Sequence, residues 1–300
     1  MSKRQHTEEE KAKIRASKQA TALRHKSQVC KVYELKVVEK RLNNLQKQQL
    51  DKIFLEAKWF YNHVLADKKN REIPLNLIKA TDVKVADVLD KDGNATKHEL
   101  EILPSHYKQT IVARMISNEK TIRSLVKKGL QKHGSLQFKS EIGCIPLKNM
   151  DWSFKSHNKV KIMGVKGSIL VKGVNQMPSG CEFANANLVR RADGLFLKIT
   201  TYIDKDKVDK ETRNGKEIGL DFGVKTSITT SEGKKIDVHV EESDHLKRLQ
   251  RELFRKVKGS NNRHKTIKKL QFAYQKLINK KTDMANKIVH ELKAYECIVI

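Results

Sequence analysis

Apolar residues alternate with polar ones through "VCKVYELKVV", residues 29–38. The rhythm then changes, and Leu50, Ile53, Phe54, Ala57, Tyr61, Val64 and Leu65 recur three or four apart. A period of two marks a half-buried strand, whereas a period near 3.6 marks a helix with one buried face. The pattern therefore predicts a strand over 29–38 and an amphipathic helix over residues 42–66. "DKDGNATKHE", residues 90–99, reads as a turn from its Asp-Gly-Asn content, and its carboxylates miss the register of a calcium-binding loop. A second helix is predicted from Pro104 and Ser105, with Tyr107, Ile111, Met115, Ile122 and Leu125 in its core stripe and a basic tail, "VKKGLQKHG".

From residue 142 to 203 the texture shifts to short alternating runs split by Gly and Asn, such as "KVKIMGVKGSILVKG" and "DGLFLKITTYI". Such spacing predicts a small antiparallel sheet or barrel. The strand over 29–38 joins it, so that the helical region becomes an insertion into a β domain. Residues 1–28 are charged and without periodicity, which reads as a flexible arm with a transient helix over 8–23.

The last third returns to strands and then helices. "EIGLDFGVKTSITTSEGKKIDV", residues 217–238, reads as three short strands joined by turns. Leu246, Leu249, Leu253 and Val257 then follow at helical spacing, "SNN" breaks the pattern, and Ile267, Leu270, Tyr274, Leu277, Met284, Ile288 and Leu292 continue it. This predicts a helical hairpin, followed by a short apolar strand "CIVI", residues 297–300. Three antiparallel strands, a helical crossover and a further strand is the order of a ribonuclease-H-like sheet. A right-handed crossover sets the last strand parallel to the first and beside it.

Charge adds a partner to this outline. The chain has 62 Lys and Arg against 35 Asp and Glu, a net charge of +27, and such a surplus repels itself unless a polyanion neutralises it. Nucleic acid is the leading partner, ahead of a ribosomal-type structural role or a surface charged only for solubility. The surplus is steepest over residues 244–281, with 13 Lys or Arg against 2 Asp or Glu. Acids are too few there for pairing along the helices to explain the cations.

The length suits two or three domains with a core that needs no staples. Cys30, Cys144, Cys181 and Cys297 are too scattered for a zinc knuckle and read as reduced, mostly buried thiols of an intracellular protein. No apolar signal region opens the chain and no run is long enough to span a bilayer, so neither secretion nor a membrane partner is expected.

Asp221 is the residue that the pattern leaves unexplained. It sits in the apolar run of a predicted strand, where a buried carboxylate needs hydrogen bonds or a counter-charge. In a ribonuclease-H-like site such a carboxylate gathers Mg²⁺, with two ions clamping the attacking and leaving oxygens of a phosphodiester. A structural Asp at a strand end, bonded to turn amides of "GVK", explains it equally well.

"IGLDFGVKTSITTSEG" resembles the first RuvC motif of the TnpB/OrfB proteins of insertion sequences, RNA-guided endonucleases related to compact type V CRISPR nucleases. "KGSNNRHKTIKKLQFAYQKLINKKTDMANKIVHELKAYECIVI" is similar to the basic helical segment before their second motif. Upstream, "YELKVV", "AKWFYNHVLA", "LPSHYKQTIVARM" and "GSLQFKSE" resemble parts of the family's amino-terminal half. The resemblance implies an α+β multidomain protein. A wedge-like β-barrel would comprise residues 29–40 and 141–210, with a helical recognition insertion over 41–140. A partial RuvC-like domain would follow over 215–300, carrying the basic hairpin over 243–294.

The implied activity is Mg²⁺-dependent hydrolysis of DNA directed by a guide RNA, with Asp221 as catalytic residue and metal ligand. The partners would be guide RNA and target DNA, in the cytoplasm of a prokaryote and on its nucleoid. Base pairing reads sequence in such systems, which leaves the protein mainly phosphate contacts. The basic hairpin suits these, with Arg248, Arg251, Arg255, Arg263, Lys265 and Lys268 as candidates. The family pattern next calls for a glutamate after a strand like "CIVI", then a zinc ribbon and a third carboxylate. The sequence stops at Ile300, so the expectation is a carboxy-terminally truncated chain that does not cleave and binds no zinc. Asp237 and Glu241 lack the spacing of replacement ligands. Two alternatives are a nuclease-dead, RNA-guided DNA-binding repressor and a structural nucleic-acid-binding protein.

Overall fold

The structure, a computed structural model, describes residues 7–70, 72–89, 93–207, 214–223 and 227–300. The chain divides into two units, Met1–Lys207 and Val208–Ile300. In the first, α1 (Glu8–Lys26) opens with a capping box between Thr7 and Glu10 and places acids in its first turn and Arg24, His25 and Lys26 in its last. Caps and charges matched to the helix dipole favour this helix without any apolar period, and none of its residues is buried. Within the segment 1–28 read as a flexible arm with a transient helix, residues 1–6 lie outside the described residues, and residues 8–26 thus form a capped helix. Its last turn is tied down where Arg24 donates to Glu182 at 2.8 Å and His25 stacks on Tyr202 at 3.7 Å.

β1 (Gln28–Val37) and α2 (Asn44–Asn70) follow the sequence pattern closely. Asn43 and Gln46 cap α2 reciprocally, and the Gln46 amide also donates to the carbonyls of Lys166 and Ser168, anchoring the helix start. β2 (Val85–Leu89) and β3 (Ala95–Glu99) form an antiparallel hairpin, so the second half of the segment 90–99, expected to be a turn, is strand. The turn is shorter than the sequence suggests, because polar side chains suit a pair of strands with one face in solvent; residues 90–92 lie outside the described residues. α3 (Ser105–Lys127) then buries Tyr107, Ile111, Val112 and Met115.

The remaining strands of this unit are β4 (Cys144–Leu147), β5 (Trp152–Ser156), β6 (Lys159–Ile162), β7 (Ile169–Lys172), β8 (Glu182–Arg191) and β9 (Gly194–Asp204). With β1 they build a seven-stranded sheet in the order β4-β8-β9-β1-β7-β6-β5, in which every pair is antiparallel. The sheet curls strongly: Trp152 and Phe154 on edge strand β5 reach Phe183 on β8, with ring centroids 5.7 and 5.2 Å apart. Leu35, Ile145, Ile162, Val171, Leu188 and Leu197 of the sheet share one continuous core with Ile53, Phe60 and Val64 of α2 and Met115 of α3.

One carboxylate lies inside that core. Glu56, on the apolar face of α2, is fully buried and accepts backbone hydrogen bonds from Glu101, Ile102 and Leu103 at 2.8 to 3.3 Å. It gathers the loop that delivers the chain to Pro104 and α3. Nearby, Lys108 is buried and donates to the Val83 carbonyl at 2.8 Å, and burial holds its ammonium below the usual lysine range.

The second unit holds β10 (Glu217–Asp221), β11 (Ile228–Thr230), β12 (Lys235–Ile236), α4 (Asp244–Phe254), α5 (Asn261–Leu292) and β13 (Cys297–Val299). β10 pairs antiparallel with β11, β11 antiparallel with β12, and β13 lies parallel to β10, the arrangement that the strand pattern and crossover handedness predict. Ile218, Leu220 and Ile228 form a small core covered by Ile288 and Leu292 of α5. The cysteines differ from expectation: Cys30 and Cys297 are exposed, and Cys144 and Cys181 are half-buried. Cys30 and Cys297 lie at exposed positions of their strands, Cys144 opens β4, and Cys181 directly precedes β8. No helix among the described residues is long and apolar enough to cross a membrane.

Replacing Glu56 by Ala strands the amides of the 101–103 loop. Urea unfolding should show a loss of about 3 kcal/mol or more, and a smaller loss for Glu56→Gln, whose amide oxygen still accepts. A loss under about 0.5 kcal/mol for Glu56→Ala would mean that the carboxylate does not organise the loop.

Candidate nucleic-acid interface and the carboxylate Asp221

α4 folds as a helix because Ser243 caps it, accepting from the Leu246 amide at 3.3 Å, and because Leu246 and Leu249 fall on one buried face. Burying these two positions turns the intervening and following arginines outward. Arg248, Arg251 and Arg255 lie three and four residues apart, so they stack along one side of the helix. With His245, Asp244 and Glu252 they line a surface groove of about 550 Å³. Among the described residues no acid pairs with any of the three arginines. Asp244 lies at one end of the groove, and Glu252 is engaged elsewhere: it pairs with Lys256 at 2.8 Å and accepts from the buried Thr266 hydroxyl at 3.2 Å. Those bonds, Lys256 first, hold the Glu252 carboxyl below its usual range.

α5 begins at the cap Ser260 and runs on well past the end of α4. Gln250 of α4 donates to the Tyr274 hydroxyl of α5 at 2.7 Å, fastening the pair. Lys265 and Lys268 are exposed on α5. Arg263 is placed differently from the other candidates. Its guanidinium donates to the carbonyls of Leu253 at 2.7 Å and Lys256 at 3.2 Å, closing the end of α4 against the start of α5. The last carbonyls of a helix lack partners within it, and a cation there is doubly suited. Val257, placed in the seam by its spacing, is exposed because α4 ends at Phe254.

Asp221 ends β10. The strand alternates, with Ile218 and Leu220 facing the core and Glu217 and Asp221 facing solvent. The carboxylate is therefore exposed and water satisfies it, so the compensation expected for a buried aspartate is not required. Across the antiparallel pair its neighbour is Thr229, and Thr229 in turn faces Lys235 on β12. The turn amides of Val224 and Lys225, offered as alternative partners, lie outside the described residues. Asp237 accepts from the Ser227 hydroxyl and the His239 amide, each at 3.0 Å, and the amide bond, then the hydroxyl, holds its carboxyl low. Among the described residues no three His, Cys, Asp or Glu side chains converge to hold a metal. A single exposed carboxylate does not fit a two-magnesium site, which needs several anionic oxygens around the ions.

Residues 199–300 match the family OrfB_IS605, described as a probable transposase. This third of the chain is transposase-related. The OrfB_IS605 match spans all of the second unit, including β10 with Asp221 and the basic hairpin, and supports an insertion-sequence family. The chain matches no curated protein.

Arg263→Ala should loosen the interhelical turn, costing about 1 kcal/mol and speeding amide hydrogen exchange over residues 253–260. Arg263→Lys, with a single ammonium, should recover part of the protection. Unchanged exchange in Arg263→Ala would show that the guanidinium does not hold the turn.

Proposed function

We propose that the chain is a nucleic-acid-binding protein of an insertion sequence that holds a structured guide RNA and is directed by it to DNA. The observation that carries this reading is the groove along α4, where Arg248, Arg251 and Arg255 converge without acid partners among the described residues. Three aligned guanidiniums suit successive phosphates, because each offers a planar fork of donors to anionic oxygens. Lys265 and Lys268 add charge from α5. In this reading the curled sheet of the first unit is the wedge-like domain and α2 and α3 belong to its recognition insertion. The second unit is part of a RuvC-like domain, a reading supported by the parallel pairing of β10 with β13.

Among the described residues no three metal-ligating side chains converge at Asp221, and the reading supported is of binding rather than cleavage. The family pattern calls for a carboxylate directly after a strand like "CIVI". The parallel register pairs Gly219 with Val299, so a residue following Ile300 in that register would lie beside Asp221.

Two outcomes follow. Binding of structured RNA should fall steeply with salt, and reversing Arg248, Arg251 and Arg255 to Glu should lower the log–log slope by about 2 to 3, since each neutralised phosphate contributes about 0.7 to 0.9. A filter-binding titration insensitive to these changes would refute the α4 face as the contact. With magnesium and a matched guide and target, the 300 residues should show no Asp221-dependent cleavage. Cutting that Asp221→Ala abolishes would mean that other carboxylates complete the site.

A further inference from the structure

A different cationic surface, with no acid in its lining, lies on the first unit, well separated in sequence from the hairpin. The carboxy-terminal half of α3 and the irregular segment 132–139 border two shallow, open surface hollows of about 720 and 370 Å³, which share Ile122, Ser135 and Gln137. Arg123, Lys127, Lys132 and His133 line the larger and Lys139 the smaller, and no described lining residue of either is Asp or Glu. Glu119, one turn before Arg123 on α3, is engaged, pairing with Arg123 at 2.9 Å and with Lys68.

At the far end of this channel Phe138 is 53% exposed, an unusual position for a phenylalanine that has a core beside it. The exposure is imposed by its neighbours. Leu136 is buried, the Asn62 side chain exchanges two 2.9 Å hydrogen bonds with the backbone of Lys139, and the Tyr61 hydroxyl donates to the Gln137 carbonyl at 3.3 Å. The main chain on either side of Phe138 is thus pinned to α2, and the ring is displayed outward. Cations flank it: the Lys69 ammonium lies 4.9 Å from the Phe138 ring centre, and Lys139 lies 4.5 Å from that of Tyr61. The opposite wall is equally constrained, since a Cβ added at Gly134 would meet Ile122 at 2.7 Å. The backbone passes α3 too closely for a larger residue.

We infer that this channel binds single-stranded nucleic acid, with a base stacked on Phe138 and neighbouring phosphates on Lys69, Lys127 and Lys132. A fixed exposed aromatic beside an acid-free cationic groove supplies both parts of such recognition, since every base has a face to stack and every linkage a charge. Duplex is disfavoured because its bases are already stacked on each other. The inference goes beyond the α4 reading and rests on the first unit alone.

The test measures fluorescence anisotropy with the full 300-residue chain and labelled RNA, DNA and duplex DNA of about 12 nucleotides or base pairs. Phe138→Ala should weaken single-strand binding about tenfold and Phe138→Tyr about twofold at most, with the duplex unaffected. Loss for RNA alone, DNA alone or both supports the platform and identifies the strand it takes. Lys127→Gln with Lys132→Gln should lower the single-strand salt slope by about 1.4. The Phe138 effect should persist when Arg248, Arg251 and Arg255 are reversed, so failure of either site is seen separately. Unchanged single-strand affinity in Phe138→Ala, an equal loss for duplex, or equally tight binding of poly-glutamate that ignores Phe138 would each overturn the inference.

Discussion

Unneutralised positive charge is the constraint on which the rest depends. With 62 Lys and Arg against 35 Asp and Glu, a net charge of +27, even complete one-to-one pairing would leave 27 cations without an internal acid. Many of the pairs the fold makes are local, such as Glu252 with Lys256, Glu119 with Arg123 and Asp283 with Lys287. Such exposed pairs contribute little to stability. Their consequence is distributional: where acids are used up within a helix or turn, the cations left over share a face with no internal counter-charge, as along α4.

Rigid elements set the spacing of those leftover charges. The buried leucines of α4 fix its rotation, and Arg263 closes its end from α5. A guanidinium used on backbone carbonyls is not free to meet a phosphate with the same donors, so one of the hairpin's arginines builds the surface that the others present. The first unit shows the same division. Asn62, Tyr61 and Leu136 hold the chain from within while Phe138 is turned outward.

Periodicity made much of this legible. The strand preceding α2, both core helices, the hairpin and the parallel return of β13 follow from apolar spacing and handedness, because each is decided by residues close in sequence. What escaped depends on distance or on alternatives to packing. Glu56 looks like an ordinary polar residue of a helix, and only the loop 45 residues later, from Glu101, gives its carboxylate a role. α1 is specified by caps and charge order, which a search for apolar period passes over. Asp221 was legible as a motif residue, but not which way it faces: a five-residue strand alternates, and its last position falls on the solvent side. Arg263 carried a readable signal: an arginine three residues past a helix cap and ten after Leu253 can reach back to the preceding helix end.

The central proposal is that nucleic acid lies on the arginine face of α4 and, independently, on segment 132–139 of the first unit. Ultraviolet cross-linking of the full chain to bound RNA, followed by peptide mass spectrometry, tests it most directly. Cross-linked peptides should concentrate in residues 244–268 and 132–139. Cross-links spread over the exposed lysines in proportion to their number, or confined to segments outside both regions, would contradict the account.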